Sequence, residues 1–568
     1  MKYEREAPAS DSTGFPSSLA RASCLSLLCV AVIFLAATEL YAAPQETASF
    51  NEQDRLRGSI TPERSWWDLK HYQLSLEVDP QEKSIRGSNV IRFEALEKGS
   101  TMQIDLQQPL KITKIQHGEK ELTFKRNGNV HLVQFSEPIA KGESHEIKID
   151  YVGVPVESKN PPWSGGFSWT KDNQGQDFIA TSCQGIGASI WWPCKDHGDD
   201  EPDEGMDINV TVPENLTAVS NGRLSATEHD ADGKTKTFRW KVTQPINNYG
   251  VCVNIGNYVN FSDTYKGEFG DLDLDYWVLE HQRKKALKHF REVPRTIKAF
   301  EHWFGKYPFA EDSYKLVVVP YLGMEHQSSV TYGNGFANGY RGEDLSDTGV
   351  GMKFDFIIVH ESGHEWFGNN ISVKDVADLW VHESFTNYSE NLFVEFHFSR
   401  QEAEDYVIGC RHRVKNDRPI IGVYGVNHQG SGDMYYKGGN MLHTMRHILD
   451  DDKKWRAILR GLNETFRHQT VTTKQIEDYI NRESGFDFSK VFDQYLRTTD
   501  IPLLKYTVDG KTLSYQLENC VEGFEVPARG TVNGNPVKLK LSQQPQTLEF
   551  EGEFESFELD RNFYFEVR

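Results

Sequence analysis

The apolar residues of this 568-residue chain change their spacing twice, and that change of period limits the folds open to it. From about Trp66 to Phe261 they alternate with polar ones, as in YQLSLEVD, SNVIRFEAL, VHLVQF, HEIKIDYVG, DINVTVP and TFRWKV. A period of two is that of a strand with one buried face. Turn-rich clusters such as DADGK and PINNYG separate the runs, so the segment reads as a β-rich domain of sheets packed on each other. From about Ser262 to Thr499 the spacing becomes helical. EHQRKKALKHFREVPRTIKAFEHWFG is interrupted near Pro294, and YKLVVVP is a short buried strand. FDFIIVHESGHEWFG predicts a helix of about four turns, DLWVHESFTNYSENLFVEFHF a second one, and helical spacing continues to FSKVFDQYL. After Pro502 alternation returns, punctuated by D-G and N-G turn signals, as a small terminal β-domain. The order β, α, β predicts a multidomain α+β protein divided as 44–261, 262–500 and 501–568.

Residues 1–43 differ from the rest. Arg21 precedes an uncharged run from Ala22 to Thr38, which ends in small residues where a signal peptidase would cut. The run is short for a membrane span, which needs about 20 apolar residues. It reads as a secretory signal with a long polar lead, cleaved near Ala42 or Ala43, and the competing reading is an uncleaved anchor. The expected location is therefore periplasmic or secreted. A net charge of −21 argues against nucleic acid and against adhesion to an anionic membrane, because both need a basic surface. Beyond Cys24 and Cys29, five scattered cysteines remain and no C-x-x-C pair exists, so burial as small hydrophobes is expected over a disulfide such as Cys183–Cys194.

One motif carries chemistry. In VHESGHEWF, His360 and His364 stand four residues apart, one helical turn, so both imidazoles can reach one metal. Glu361 projects beside that face, where it could take a proton from an attacking water. A catalytic zinc needs three protein ligands, and Glu383 follows His364 after eighteen residues on the second helix. Among aromatics a carboxylate needs a partner. His382 is the rival ligand, and Asp378 is either a support for a ligand imidazole or a helix-start residue.

Around this motif, HESGHEWFGNNISVKDVADLWVHESFTNYSE is similar to the zinc aminopeptidases of the aminopeptidase N and leukotriene hydrolase type, the gluzincin metallopeptidases. The resemblance extends over about residues 64 to 500 through TSCQGIGASIWWPCKD, YPF at Tyr307–Phe309, LGMEH and YYKGG. It implies a saddle-like N-terminal β-sheet domain, a mainly helical thermolysin-like catalytic domain and a C-terminal β-sandwich. It implies one zinc ion per chain on His360, His364 and Glu383. Glu325 matches the glutamate that binds a substrate α-amino group, Gln184 a residue that helps hold it, and Gly323, Met324 and His326 the adjoining subsite. Tyr435, two residues before Lys437, matches the tyrosine that supports the oxyanion, with Tyr436 as its neighbour. Leu322 stands where the family usually has Gly, and His326 where it has Asn. The implied activity is removal of the N-terminal residue from peptides with a free amino terminus. An epoxide-type hydrolase in the same cleft and a non-catalytic zinc- or peptide-binding homologue are the alternatives.

Overall fold

The alternating runs become strands whose burial repeats at the same period. In Trp67–Asp79 the side chains of Leu74, Leu76 and Val78 are buried while those between them are not. A computed structural model describes residues 49–568, and residues 50–568 form one compact unit. The expected signal segment, with Cys24 and Cys29, lies outside the described residues.

Two short helices, Glu52–Gly58 and Pro62–Ser65, lead into an eight-stranded sheet. At its centre Trp67–Asp79 pairs antiparallel with Ser84–Ala95 and parallel with Met206–Pro213. A three-stranded sheet contains Gly99–Asp105, and a four-stranded sheet contains Asp177–Ser182. That last strand ends immediately before Cys183 and Gln184, so the β-rich part delivers a loop toward the next region.

The helical region begins with strands that the periodicity missed. Tyr258–Gly267 and Gly270–Leu279 form a hairpin across the expected boundary at 261. They join Tyr314–Val318, Val330–Tyr332 and Gly323–Met324 in a five-stranded sheet with Gly323–Met324 at its edge. The helical break falls at Phe290–Arg291, and Pro294 sits in the first turn of the helix Glu292–Phe304, where its missing N–H costs nothing.

The motif helix is Phe356–Gly363, two turns rather than four. Its N-cap Asp355 accepts hydrogen bonds from the amides of Ile357 and Ile358. All eight residues are buried, and four of them are large apolar side chains, each contributing about 1.5–3 kcal/mol by burial. Burial, not length, holds it. The second helix, Trp380–His397, packs on it, and a Cβ at Gly363 would lie 2.6 Å from Ser389 Oγ. Glycine is thus required for the approach. A third helix, Tyr436–Leu449, completes the surroundings of the cleft.

Beyond Leu503 the chain folds into a four-stranded and a three-stranded sheet. Asn533 and Gly534 both adopt positive φ in the turn between Glu525–Val532 and Asn535–Ser542, as an N-G hairpin turn requires. This β unit docks on the third helix, where His443 bonds Asn562 at 2.9 Å and the Tyr564 amide donates to Thr444 at 3.0 Å. All five cysteines among the described residues are free thiols, four of them buried. No helix among these residues is long and apolar enough to cross a membrane.

Candidate active site

The motif helix and the Trp380–His397 helix bring His360, His364 and Glu383 together. Their ligating atoms all lie within 4.8 Å of one another, and all three residues are buried. Nε2 of His364 is 3.4 Å and Nε2 of His360 3.9 Å from Glu383 Oε2. Each imidazole is oriented from behind. Nδ1–H of His360 donates to Glu390 Oε1 at 2.7 Å, and Nδ1–H of His364 donates to the Phe367 carbonyl at 2.9 Å. In the neutral imidazoles that a metal ion binds, these acceptors fix the tautomers and leave both Nε2 lone pairs facing Glu383. Oε2 of Glu383 is buried with no hydrogen-bond partner. An orphaned carboxylate oxygen facing two imidazole lone pairs fits a divalent cation, and two nitrogens with one oxygen are a donor set of catalytic zinc sites.

Beside this triad the edge strand Gly323–Met324 runs along the motif helix. A Cβ at Gly323 would come within 2.6 Å of Ile357 Cγ2 and 2.9 Å of Glu361 Oε1, so only glycine allows the strand this close. The strand delivers Glu325, whose carboxylate accepts from Gln184 Nε2 at 2.7 Å. The same amide donates to Glu383 Oε1 at 3.0 Å. One residue of the β-rich part thus joins the two glutamates. Burial raises Glu361 to about 7, opposed by His360 and reinforced by Glu325. Burial and then Glu383, Glu325 and Glu361 hold the Tyr435 phenol well above its ordinary value, so it remains an O–H donor. Tyr436 instead has Glu390 and Arg413 as its charged neighbours.

These residues line a cavity of about 720 Å³ that also includes Gly323, Met324 and Leu322. Two stretches decide the family. Residues 289–495 match the peptidase family M1 domain, and residues 69–249 match the peptidase M1 N-terminal domain, together more than half of the chain. The chain belongs to peptidase family M1.

Similar M1 relatives include a leucyl aminopeptidase of Saccharolobus solfataricus, 22% identical over 521 residues, covering 87% of this chain and 62% of the relative. Leukotriene A-4 hydrolase of Xenopus laevis is 22% identical over 454 residues, covering 74% of this chain and 68% of the relative. The chain spans 51–62% of the length of the four archaeal aminopeptidases it matches. The crystal structure of an M1 zinc metallopeptidase from Deinococcus radiodurans has the same fold, with a TM-score of 0.64 at 19% identity, covering 78% of this chain and 95% of that one.

Within this M1 site one sequence expectation changes, for His326, and the alternative left open for Asp378 is decided. His326 does not line the cleft. It is fully buried, with Nδ1 3.4 Å from Thr331 Oγ1, and burial lowers it to about 3, so it is neutral. Asp378 does not support a ligand imidazole: it accepts from the Thr473 amide and hydroxyl and from Tyr424. His382 turns from the triad, its Nε2 accepting from the Val373 amide at 3.0 Å. Sequence reasoning missed Glu390. It lies seven residues after Glu383, two turns along one helix face, and that spacing in a run rich in aromatics was the available signal. Tyr307 of YPF donates to Glu365 at 2.9 Å, tying that segment to the end of the motif helix.

Proposed function

We propose that this M1 chain is a zinc-dependent aminopeptidase that hydrolyses the N-terminal peptide bond of peptides. The observation that carries this reading is a metal-ligand triad sharing one buried cleft with Glu325 and Gln184. An exopeptidase needs an anion one residue from the scissile carbonyl, and Glu325 is placed beside the triad to serve as one. Names of relatives support it: the S. solfataricus and Lactococcus lactis proteins are called leucyl aminopeptidase and aminopeptidase N.

In this reading His360, His364 and Glu383 hold one zinc ion. Zinc there supplies Lewis acidity to the scissile carbonyl and to the attacking water. Glu361 removes the proton from that water and returns it to the leaving amine, one carboxylate acting first as base and then as acid. The Tyr435 O–H donates to the oxygen that gains negative charge. Glu325, steadied by Gln184, binds the α-ammonium group and sets the register, while Gly323 and Met324 form the wall for the first side chain. We also propose export, to the periplasm or beyond the cell, on the apolar run Ala22–Thr38, and a domain division near residue 500, with the first division placed before the strand Tyr258–Gly267 and not at 261.

Turnover of an aminoacyl anilide tests the reading. It should vanish on dialysis against a chelator and return with about one equivalent of zinc. Full activity in metal-free protein would refute it.

A further inference from the structure

We propose that the surface groove beside helix Glu292–Phe304 binds a ligand carrying clustered phosphate groups. Residues 283–298 contain seven Lys and Arg against one Glu, a local charge of +6 in a chain whose net charge is −21. Among the described residues only one of the seven cations, Arg295, forms an ion pair, with Glu292. Uncompensated like charges this close repel one another, and a bound anion relieves that repulsion.

The cations are arranged around a concavity. Lys285, Lys288, His289, Arg291 and Arg295 line a groove of about 500 Å³, with Phe336 in the same wall. That volume lies in the range of small-molecule sites, of about 300–1,000 Å³. Lys285, Lys288 and Arg291 are exposed, while His289 and Arg295 are half-buried, so mobile point charges surround a more fixed floor. Lysines and arginines together suit phosphate, which carries about two negative charges at neutral pH and offers several acceptors to an arginine fork. The total charge of −21 does not oppose this, because at physiological salt charges beyond about 8 Å are largely screened.

The floor also touches the catalytic scaffold. Nε2 of His289 lies 2.7 Å from Asp355 Oδ2, and Asp355 caps the motif helix. A ligand in the groove therefore sits two side chains from the start of the helix that carries His360.

Fructose 1,6-bisphosphate, which bears two phosphates and chelates zinc weakly, is a direct probe for calorimetric titration into the zinc-loaded protein at low salt. Saturable one-to-one binding is expected, weakening at least tenfold between about 50 and 300 mM salt. A Lys285→Glu/Lys288→Glu/Arg291→Glu variant should lose at least tenfold in affinity while keeping its zinc and its unfolding curve. The milder Lys285→Gln/Lys288→Gln variant should lose about threefold and covers the case in which the triple variant misfolds. Sedimentation with phosphatidylglycerol vesicles separates the two sources of phosphate. Vesicle binding without a response to the sugar bisphosphate assigns the groove to lipid headgroups, and the reverse assigns it to a soluble ligand. Absence of saturable binding to both probes, or variants that bind as tightly as the wild type, would overturn the proposal.

Discussion

Glu361 carries the proton traffic in the proposed reaction without being a metal ligand. Substituting glutamine keeps its volume and removes the base. Glu361→Gln should lower kcat by about 10²–10⁴-fold while retaining one equivalent of zinc, a pairing read by turnover and metal analysis on one sample. A second buried carboxyl makes a different kind of statement. Burial raises Glu201 to about 8 from an ordinary 4.5, and its Oε1 has no hydrogen-bond partner. The folded state therefore favours the protonated form. The stability this contributes is complete below about pH 4.5 and is lost as pH rises through 8. Glu201→Gln, which cannot ionise, should melt higher than the wild type at pH 9, with the difference shrinking toward pH 5.

At the scale of elements, the second helix does more than supply a ligand. Glu383 and Glu390 share one face, so a single helix provides both the candidate third ligand and the group that orients His360. Tyr406 and Asn387 hold Glu390 at 2.6 and 3.2 Å, which makes it a rigid support. Glu390→Ala should weaken zinc affinity by about 10–100-fold in a competition against a chromogenic chelator, with the Glu361 proton step intact in zinc-saturated protein. Legibility differed from element to element for physical reasons. His360, His364 and Glu383 were readable because four-residue spacing and a third carboxylate are local statements about helix faces. The length of the motif helix was not, since the turn after Gly363 is set by packing against Ser389 and by the Tyr307–Glu365 bond, both distant in sequence. The hairpin Tyr258–Leu279 was missed because its outer strand is largely polar and exposed, so period two is faint there.

At the scale of the whole molecule, the site is assembled from distant parts of the chain. Gln184 comes from the β-rich part, Glu325 from a sheet edge, the candidate metal ligands from two helices and Tyr435 from the start of a third. The order of the β, α and β regions was legible because each holds one hydrophobic period for many residues. Their convergence on Glu325 was not, because a hydrogen bond between residues 184 and 325 leaves no periodic trace. Likewise, a net charge of −21 concealed a local +6 between residues 283 and 298.

In the proposed reaction this cleft counts from an amino terminus, and blocking that terminus decides the matter. A short peptide and its N-acetylated twin are presented to the zinc-loaded wild type and to Glu325→Gln. The wild type should cleave only the free peptide, releasing its first residue, and the variant should lose at least 10²-fold in kcat/KM on it, about 3 kcal/mol. Comparable cleavage of the acetylated peptide by the wild type, or an unaffected Glu325→Gln variant, would contradict the claim.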